Sequence, residues 1–384
     1  MSADATEVRA PVHVPALDGV RGLAVLIVVF HNAGWISGSS KQLVVKALGA
    51  LTASGWVGVQ LFFTLSGLLI TGILLDSRGR EGYFRSFYLR RTLRIFPLYY
   101  AFVAGTVFVA APLAWSAGWA EQVRTNQWPY WLYISNWTQP FQIEIFGLTH
   151  LWSLAVEEQF YFIWPLLAFW LGRRGLARLA IAMLVAGPLI RYGLSAAGLP
   201  IDATYFFTIA RWDALAAGAL LAALLRDERG RALVFQWTGR LTVVLLLVLG
   251  AIVAMERGFH SRDLSITVIG QSVVGLLSAC LLAYAMDEGP RRMRALQRVL
   301  SSRALRTLGK YSYAIYLFHF PIHHALKTPL GPWVADSDDP LKIVRTLAYL
   351  GLVLVLSLAA ALISWRLIEK PFLDLKDRWA PRVG

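Results

Sequence analysis

The chain has 384 residues, of which 57% are hydrophobic and only 16% charged, and it carries a formal net charge of +14. A soluble domain carries about 25% charge, so this composition, with a mean hydropathy of +0.54, excludes an ordinary soluble protein and indicates an all-α integral membrane protein. The single cysteine, Cys280, excludes an intramolecular disulfide.

In chain order, residues 1–15 are polar, with two prolines, and read as a cytoplasmic tail. Apolar runs then predict ten spans, at about 16–36, 57–75, 95–114, 151–171, 179–197, 203–225, 241–255, 264–286, 311–325 and 345–365. The transmembrane domain is read as 16–367, with 368–384 as a second cytoplasmic tail. Arg21 interrupts the first run and no small-residue cleavage site follows it, which argues against a removed signal peptide. Residues 115–149 carry Trp115, Trp119, Trp128, Trp131 and Trp137, as membrane interfaces do, and part of them reads as a re-entrant or surface helix. No internal repeat, appended soluble domain or metal-ligand cluster is read.

Arginine placement orients the spans. With the N-terminus inside, the inner loops hold Arg78 to Arg94, then Arg173, Arg174 and Arg178, then Arg226 to Arg240, then Arg291 to Arg306. The inner tail adds Lys370, Lys376, Arg378 and Arg382. The outer loops hold Lys41, Lys46, Arg124, Arg257 and Arg262, together with the acidic Asp336, Asp338 and Asp339. This asymmetry predicts that both termini are cytoplasmic. Most of the basic excess is then topology, and no nucleic-acid partner is expected.

Within this frame, ionisable residues inside spans are costly and mark either function or interhelix bonding. Arg21 and, ten positions on, His31 lie on the first span, about 15 Å apart at helical rise, which puts His31 roughly halfway across a bilayer core. Ser66 and Gly67 on the second span read as close helix packing. Arg91 and Arg94, at i and i+3, share a helix face and present forked donors suited to phosphate oxygens; anchoring at the inner membrane face is the other reading. Glu157 and Glu158 are adjacent at the start of an otherwise uncharged span, so at least one faces a cavity. His150, Ser153 and Glu157 share one face. Arg211 and Asp213, at i and i+2, cannot pair with each other, so each needs a partner on another helix or a wet cavity. His319 sits in a late span, where packing is the plainer role.

These elements resemble, in order along nearly the whole chain, those of the acyltransferase 3 family of bacterial polytopic O-acyltransferases. They are Arg21 with His31, the 58–67 run, Arg91 with Arg94, the stretch 150–165 containing Trp152-Ser153 and Glu157, Arg211 with Asp213, and the late 308–321 and 369–372 signatures. Gln60 departs from the family, many members of which carry Asp there. The resemblance implies transfer of an acyl group, commonly acetyl, from cytosolic acyl-CoA to a hydroxyl of a carbohydrate or glycoside, with no tightly bound cofactor, at the bacterial inner membrane. It implies Arg21, Arg91 and Arg94 as acyl-CoA-binding residues and His31 as general base, with Glu157 orienting the imidazole, binding the acceptor, or both. Trp152, Ser153, Glu158, Arg211 and Asp213 are then candidates for acceptor or oxyanion contacts. A polytopic transporter or flippase of glycan or lipid-linked substrates is the alternative, since buried charges also mark transport paths.

Overall fold

The structure, a computed structural model, describes residues 14–34, 49, 52–113, 116–256, 258–287, 293–335 and 341–379. Trp115, the loop residues Lys41, Lys46, Arg257, Arg291, Arg292, Asp336, Asp338 and Asp339, and the terminal Arg382 lie outside the described residues, as do the side chains of Lys376 and Arg378. All regular structure among the described residues is helical. The principal helices are α1 (Pro15–Ala33), α2 (Val57–Ser77), α3 (Tyr83–Gly105), α4 (Trp152–Ala196), α5 (Thr208–Leu224), α6 (Glu228–Glu256), α7 (Gln271–Met286), α8 (Arg303–Lys310), α9 (Ser312–Ala335), α10 (Lys342–Ser364) and α11 (Lys370–Trp379).

Among the described residues, eight helical stretches are long and apolar enough to cross a membrane. The two spans expected at 151–171 and 179–197 fall on the two halves of α4, which breaks at Gly172 with φ 61° and ψ −172°, a conformation open to glycine and closed to other residues. Helix α9, whose apolar pattern is interrupted by Pro321, Pro329 and Pro332, is not among the eight. Two expectations change. Helix α3 begins at Tyr83 rather than near Ile95, so Arg85, Arg90, Arg91 and Arg94 stand on a helix and not in a loop. The expected C-terminal tail is helical to Trp379, because α10 runs through a π-helical turn at Trp365–Glu369 into α11, which packs on α3.

Close backbone approach fixes the centre. A Cβ added at Gly67 of α2 would lie 1.9 Å from the Leu215 carbonyl oxygen of α5, and one at Gly218 of α5 would lie 1.8 Å from the Thr64 carbonyl oxygen. Gly22 of α1 and Gly309 of α8 make the same kind of crossing, against Leu305 and Asp18 carbonyls at 2.0 and 1.8 Å. Small residues of this kind let helices pack where lipid supplies no hydrophobic drive. Gly67 thus packs as expected, whereas Ser66 beside it faces the site. The outer surface is apolar, with Phe162, Trp170, Val243, Leu247 and Val355 exposed, as hydrocarbon contact requires.

The aromatic segment between α3 and α4 folds into short helices, Ala117–Asn126, Trp128–Trp131 and Ser135–Thr138, docked on the bundle. Tyr99 donates to the Tyr130 carbonyl at 2.8 Å. Gln159 of α4 donates to the Tyr133 carbonyl and to Asn136 Oδ1 at 2.8 and 2.9 Å. These bonds tie a segment without apolar periodicity to the front of the site.

The crossings yield a stability test. Gly218→Val drives a side chain into the Thr64 backbone, and overpacking of this kind costs about 1–3 kcal/mol or more. Gly351 of α10 has open space around it, so Gly351→Ala is neutral or stabilising. Thermal unfolding of detergent-purified variants checks the contrast.

Candidate active site

A cavity of about 110 Å³ lies between α1, α2, α3, α4 and α9. Its lining includes Arg21, Arg91 and Arg94, the polar Ser66, Ser153, Glu157, Tyr161 and Tyr316, and apolar side chains such as Val59, Phe62 and Ile95. Arg91 and Arg94 reach it together because three residues on a helix return to the same face. Arg94 is exposed and Arg91 half-buried over the Tyr161 ring, 5.4 Å from its centroid. Arg21 is held by Asp18, one turn back, at 3.2 Å. The lining therefore combines three cations, one of them open to solvent, with hydroxyls, a carboxylate and apolar side chains.

Glu157 accepts a 2.6 Å hydrogen bond from Ser66 Oγ, and Tyr161 donates to the same Ser66 oxygen at 3.1 Å. One turn along α4, Ser153 Oγ lies 2.5 Å from the Tyr316 hydroxyl, which donates to the His150 carbonyl at 2.9 Å. Ser153 and Glu157 thus share a face on the cavity, whereas the His150 side chain does not line it. Glu158, about 100° round the helix, does not line the cavity.

From Tyr316 the polar path continues away from the arginines. His319 Nδ1 lies 2.6 Å from the Tyr316 carbonyl, and its Nε2 lies 2.9 Å from Asn32 Nδ2. A carbonyl only accepts, so His319 carries its proton on Nδ1 and takes a bond from Asn32 on Nε2. Both ring nitrogens are occupied, as a positioning role requires. His150 donates from Nε2 to the Leu317 carbonyl at 3.1 Å, with its ring 5.2 Å from that of His319.

His31, next to Asn32, sits in the last turn of α1, which ends at Ala33. Its Nδ1 lies 2.7 Å from the Thr52 carbonyl, and Gly55 allows the close approach: a Cβ there would lie 2.4 Å from the His31 Cβ. The carbonyl fixes the proton on Nδ1 and leaves Nε2 with its lone pair. Glu157 does not orient this imidazole; a backbone carbonyl does, and Glu157 is bonded to Ser66 instead. His31 does not line the cavity.

Asp213 and Arg211 part company. Asp213 is paired with Arg191 of α4 at 2.8 Å, both side chains fully buried, and it also accepts from Ser272 Oγ and the Ala214 amide. It is a structural interhelix pair. Arg191 was not singled out in the sequence, because it follows the Pro188 stretch of an apolar span with no charged neighbour to flag it. Arg211 bonds Gln271 Oε1 and lies among the Phe63, Trp152 and Tyr205 rings, with centroids 5.5, 5.3 and 4.6 Å away. Trp152 serves as that wall and does not line the cavity. Tyr316 was also missed, although Ser312, Tyr316 and His319 follow the helical spacing of four and three that flagged the His150 face.

The sequence model of an acyltransferase domain family matches residues 14–366. The chain is 28% identical over 383 residues to the peptidoglycan O-acetyltransferase OatA of Listeria monocytogenes, covering 94% of this chain and 56% of that protein. It is 29% identical over 383 residues to the O-acetyltransferase OatA of Staphylococcus aureus, covering 94% and 57%. The chain therefore spans little more than half the length of these relatives. No solved structure matches it.

The Arg191–Asp213 pair predicts non-additive effects on stability. Asp213→Leu alone strands a buried guanidinium, at a cost of about 3–5 kcal/mol, whereas the double substitution Arg191→Met with Asp213→Leu recovers most of it. Unfolding in detergent measures both.

Proposed function

The chain belongs to the acyltransferase 3 family, and from that premise we propose that it transfers an acyl group, acetyl in the simplest case, from cytosolic acyl-CoA to a hydroxyl of an envelope carbohydrate. The observation that carries this reading is a cavity whose lining brings Arg21, Arg91 and Arg94 together with Ser153, Glu157 and Tyr316. Forked guanidiniums suit the phosphates of coenzyme A, and the uncharged remainder of the lining suits a pantetheine arm. The similarity to peptidoglycan O-acetyltransferases supports a cell-wall glycan as acceptor.

In this reading the bundle has ten spans, counting both halves of α4 and the helix α9, with both termini in the cytosol of a bacterial inner-membrane protein. The arginine end of the cavity then faces the cytosol, and His31, two to three turns along α1 from Arg21, lies toward the opposite face. His31 Nε2 takes the proton of the acceptor hydroxyl. The hydroxyl oxygen attacks the thioester carbonyl, and the tetrahedral intermediate collapses with cleavage of the carbon–sulfur bond. The thiolate leaves and the imidazolium returns the proton to it. Ser153, whose hydroxyl Tyr316 positions, supplies a donor for the developing oxyanion. Glu157, locked by Ser66, holds the arginine side chains and the cavity mouth in register.

Incubation of purified protein with radiolabelled acetyl-CoA and fractionated envelope glycans tests the activity. Label in a glycan fraction supports it; translocation of a lipid-linked glycan without label transfer would return the chain to the transporter reading. His31→Ala is expected to lower turnover about a hundred- to ten-thousand-fold, the usual contribution of a general base, with acyl-CoA binding intact. Arg91→Ala and Arg94→Ala are expected to weaken acyl-CoA binding about tenfold or more each, since charge-assisted contacts contribute about 1.5–3 kcal/mol. Titration calorimetry with acetyl-CoA separates the two effects.

A further inference from the structure

Arg211 is fully buried on α5, and so are its neighbours Gln60 of α2 and Gln271 of α7. The guanidinium donates from Nη1 to Gln271 Oε1, while Gln60 Nε2 donates to the Gln271 carbonyl at 3.0 Å. Arg211 Nε and Nη2, Gln271 Nε2 and Gln60 Oε1 have no hydrogen-bond partner among the described residues. The nearest carboxylate on the same helix, Asp213, is saturated by Arg191, Ser272 and the Ala214 amide. The Phe63, Trp152 and Tyr205 rings attract the cation through their faces, but they leave the donors unmet, and a buried donor without an acceptor is costly.

The pattern of what is unmet has a shape. In a guanidinium the Nε–H and the outer Nη2–H point the same way, forming the side fork that takes both oxygens of a carboxylate. Nη1, the nitrogen outside that fork, is the one already used. Gln271, bonded at Nη1, brings a further unmet donor in Nε2, and Gln60, bonded to the Gln271 carbonyl, brings an unmet acceptor in Oε1. A solvated surface arginine carries no such information, because water fills its fork; here the side chain is closed off by three aromatic rings and two helices.

We propose that Arg211, with Gln271 and Gln60, forms a buried carboxylate-binding site on the far side of Phe63 from the cavity, distinct from the arginines that line it. The ligand class is a small carboxylate: either a free monocarboxylate or the carboxylate of a sugar acid, whose neighbouring hydroxyl meets Gln60. This site does not depend on the acyl-transfer reading, since its occupancy is read by stability and not by turnover.

The test is thermal unfolding of the full chain in detergent with sodium acetate, with sodium glucuronate, and with the uncharged isostere acetamide, at ionic strength held constant with sodium chloride. The melting temperature is expected to rise and saturate with acetate or glucuronate and to ignore acetamide. Saturation at lower glucuronate assigns the site to a sugar acid; saturation at lower acetate assigns it to a free monocarboxylate. Gln60→Glu places a carboxylate on the chain itself, so this variant is expected to be at least as stable as the wild type without ligand and to lose the response. Arg211→Gln is expected to lose the response as well; should it fail to fold, the Gln60→Glu arm decides alone. Equal melting temperatures in acetate, glucuronate and acetamide, or an undiminished response in Gln60→Glu, would overturn the proposal.

Discussion

A charge inside a membrane bundle has to be met by the protein, because hydrocarbon offers it nothing. That constraint organises this molecule. Arg191 and Asp213 answer it with each other, on two helices crossed at full burial. Glu157 answers it with Ser66, and Arg91 with the face of Tyr161. Arg21, Arg91 and Arg94 share a cavity instead of being scattered on separate surfaces. The glycine crossings at Gly67, Gly218, Gly22 and Gly309 hold the helices that carry these groups in backbone contact, α2 against α5 and α1 against α8.

The site is consequently a column and not a cluster. It starts at the arginines, passes Glu157 with Ser66, then Ser153 with Tyr316, then His150 beside His319, and reaches Asn32 and His31. Its donors and acceptors alternate so that the tautomers are set by carbonyls: Tyr316 for His319 and Thr52 for His31. A carbonyl is a steadier orienter than a carboxylate, since it does not titrate. It also frees Glu157 to serve the other end of the column.

Much of this was legible because helical spacing survives in the sequence. The faces of Arg91 with Arg94 and of Ser153 with Glu157 follow from three- and four-residue steps, and the structure keeps both. The inability of Arg211 and Asp213 to pair at i, i+2 was legible for the same reason. What stayed hidden is what spacing along one helix cannot carry. Arg191 lies on a different helix from Asp213 and no local pattern joins them. Thr52 acts through its carbonyl, which any residue owns. The helical start of α3 at Tyr83 was obscured because arginines near a membrane face read as a loop, whereas here they prolong the span. The break of α4 at Gly172 was legible only as a dip in apolarity, although its backbone needs a glycine.

The central claim is that the acyl donor enters the column from its arginine end. Its most direct measurement uses a coenzyme A thioester bearing a photoactivatable acyl group, bound to the purified protein, irradiated, and mapped by mass spectrometry. The account predicts adducts on the cavity wall, at Phe62, Phe63, Leu154 or Tyr316, that are suppressed by excess acetyl-CoA. Competed adducts confined to the lipid-facing residues of α6, such as Val243 and Leu247, would contradict it.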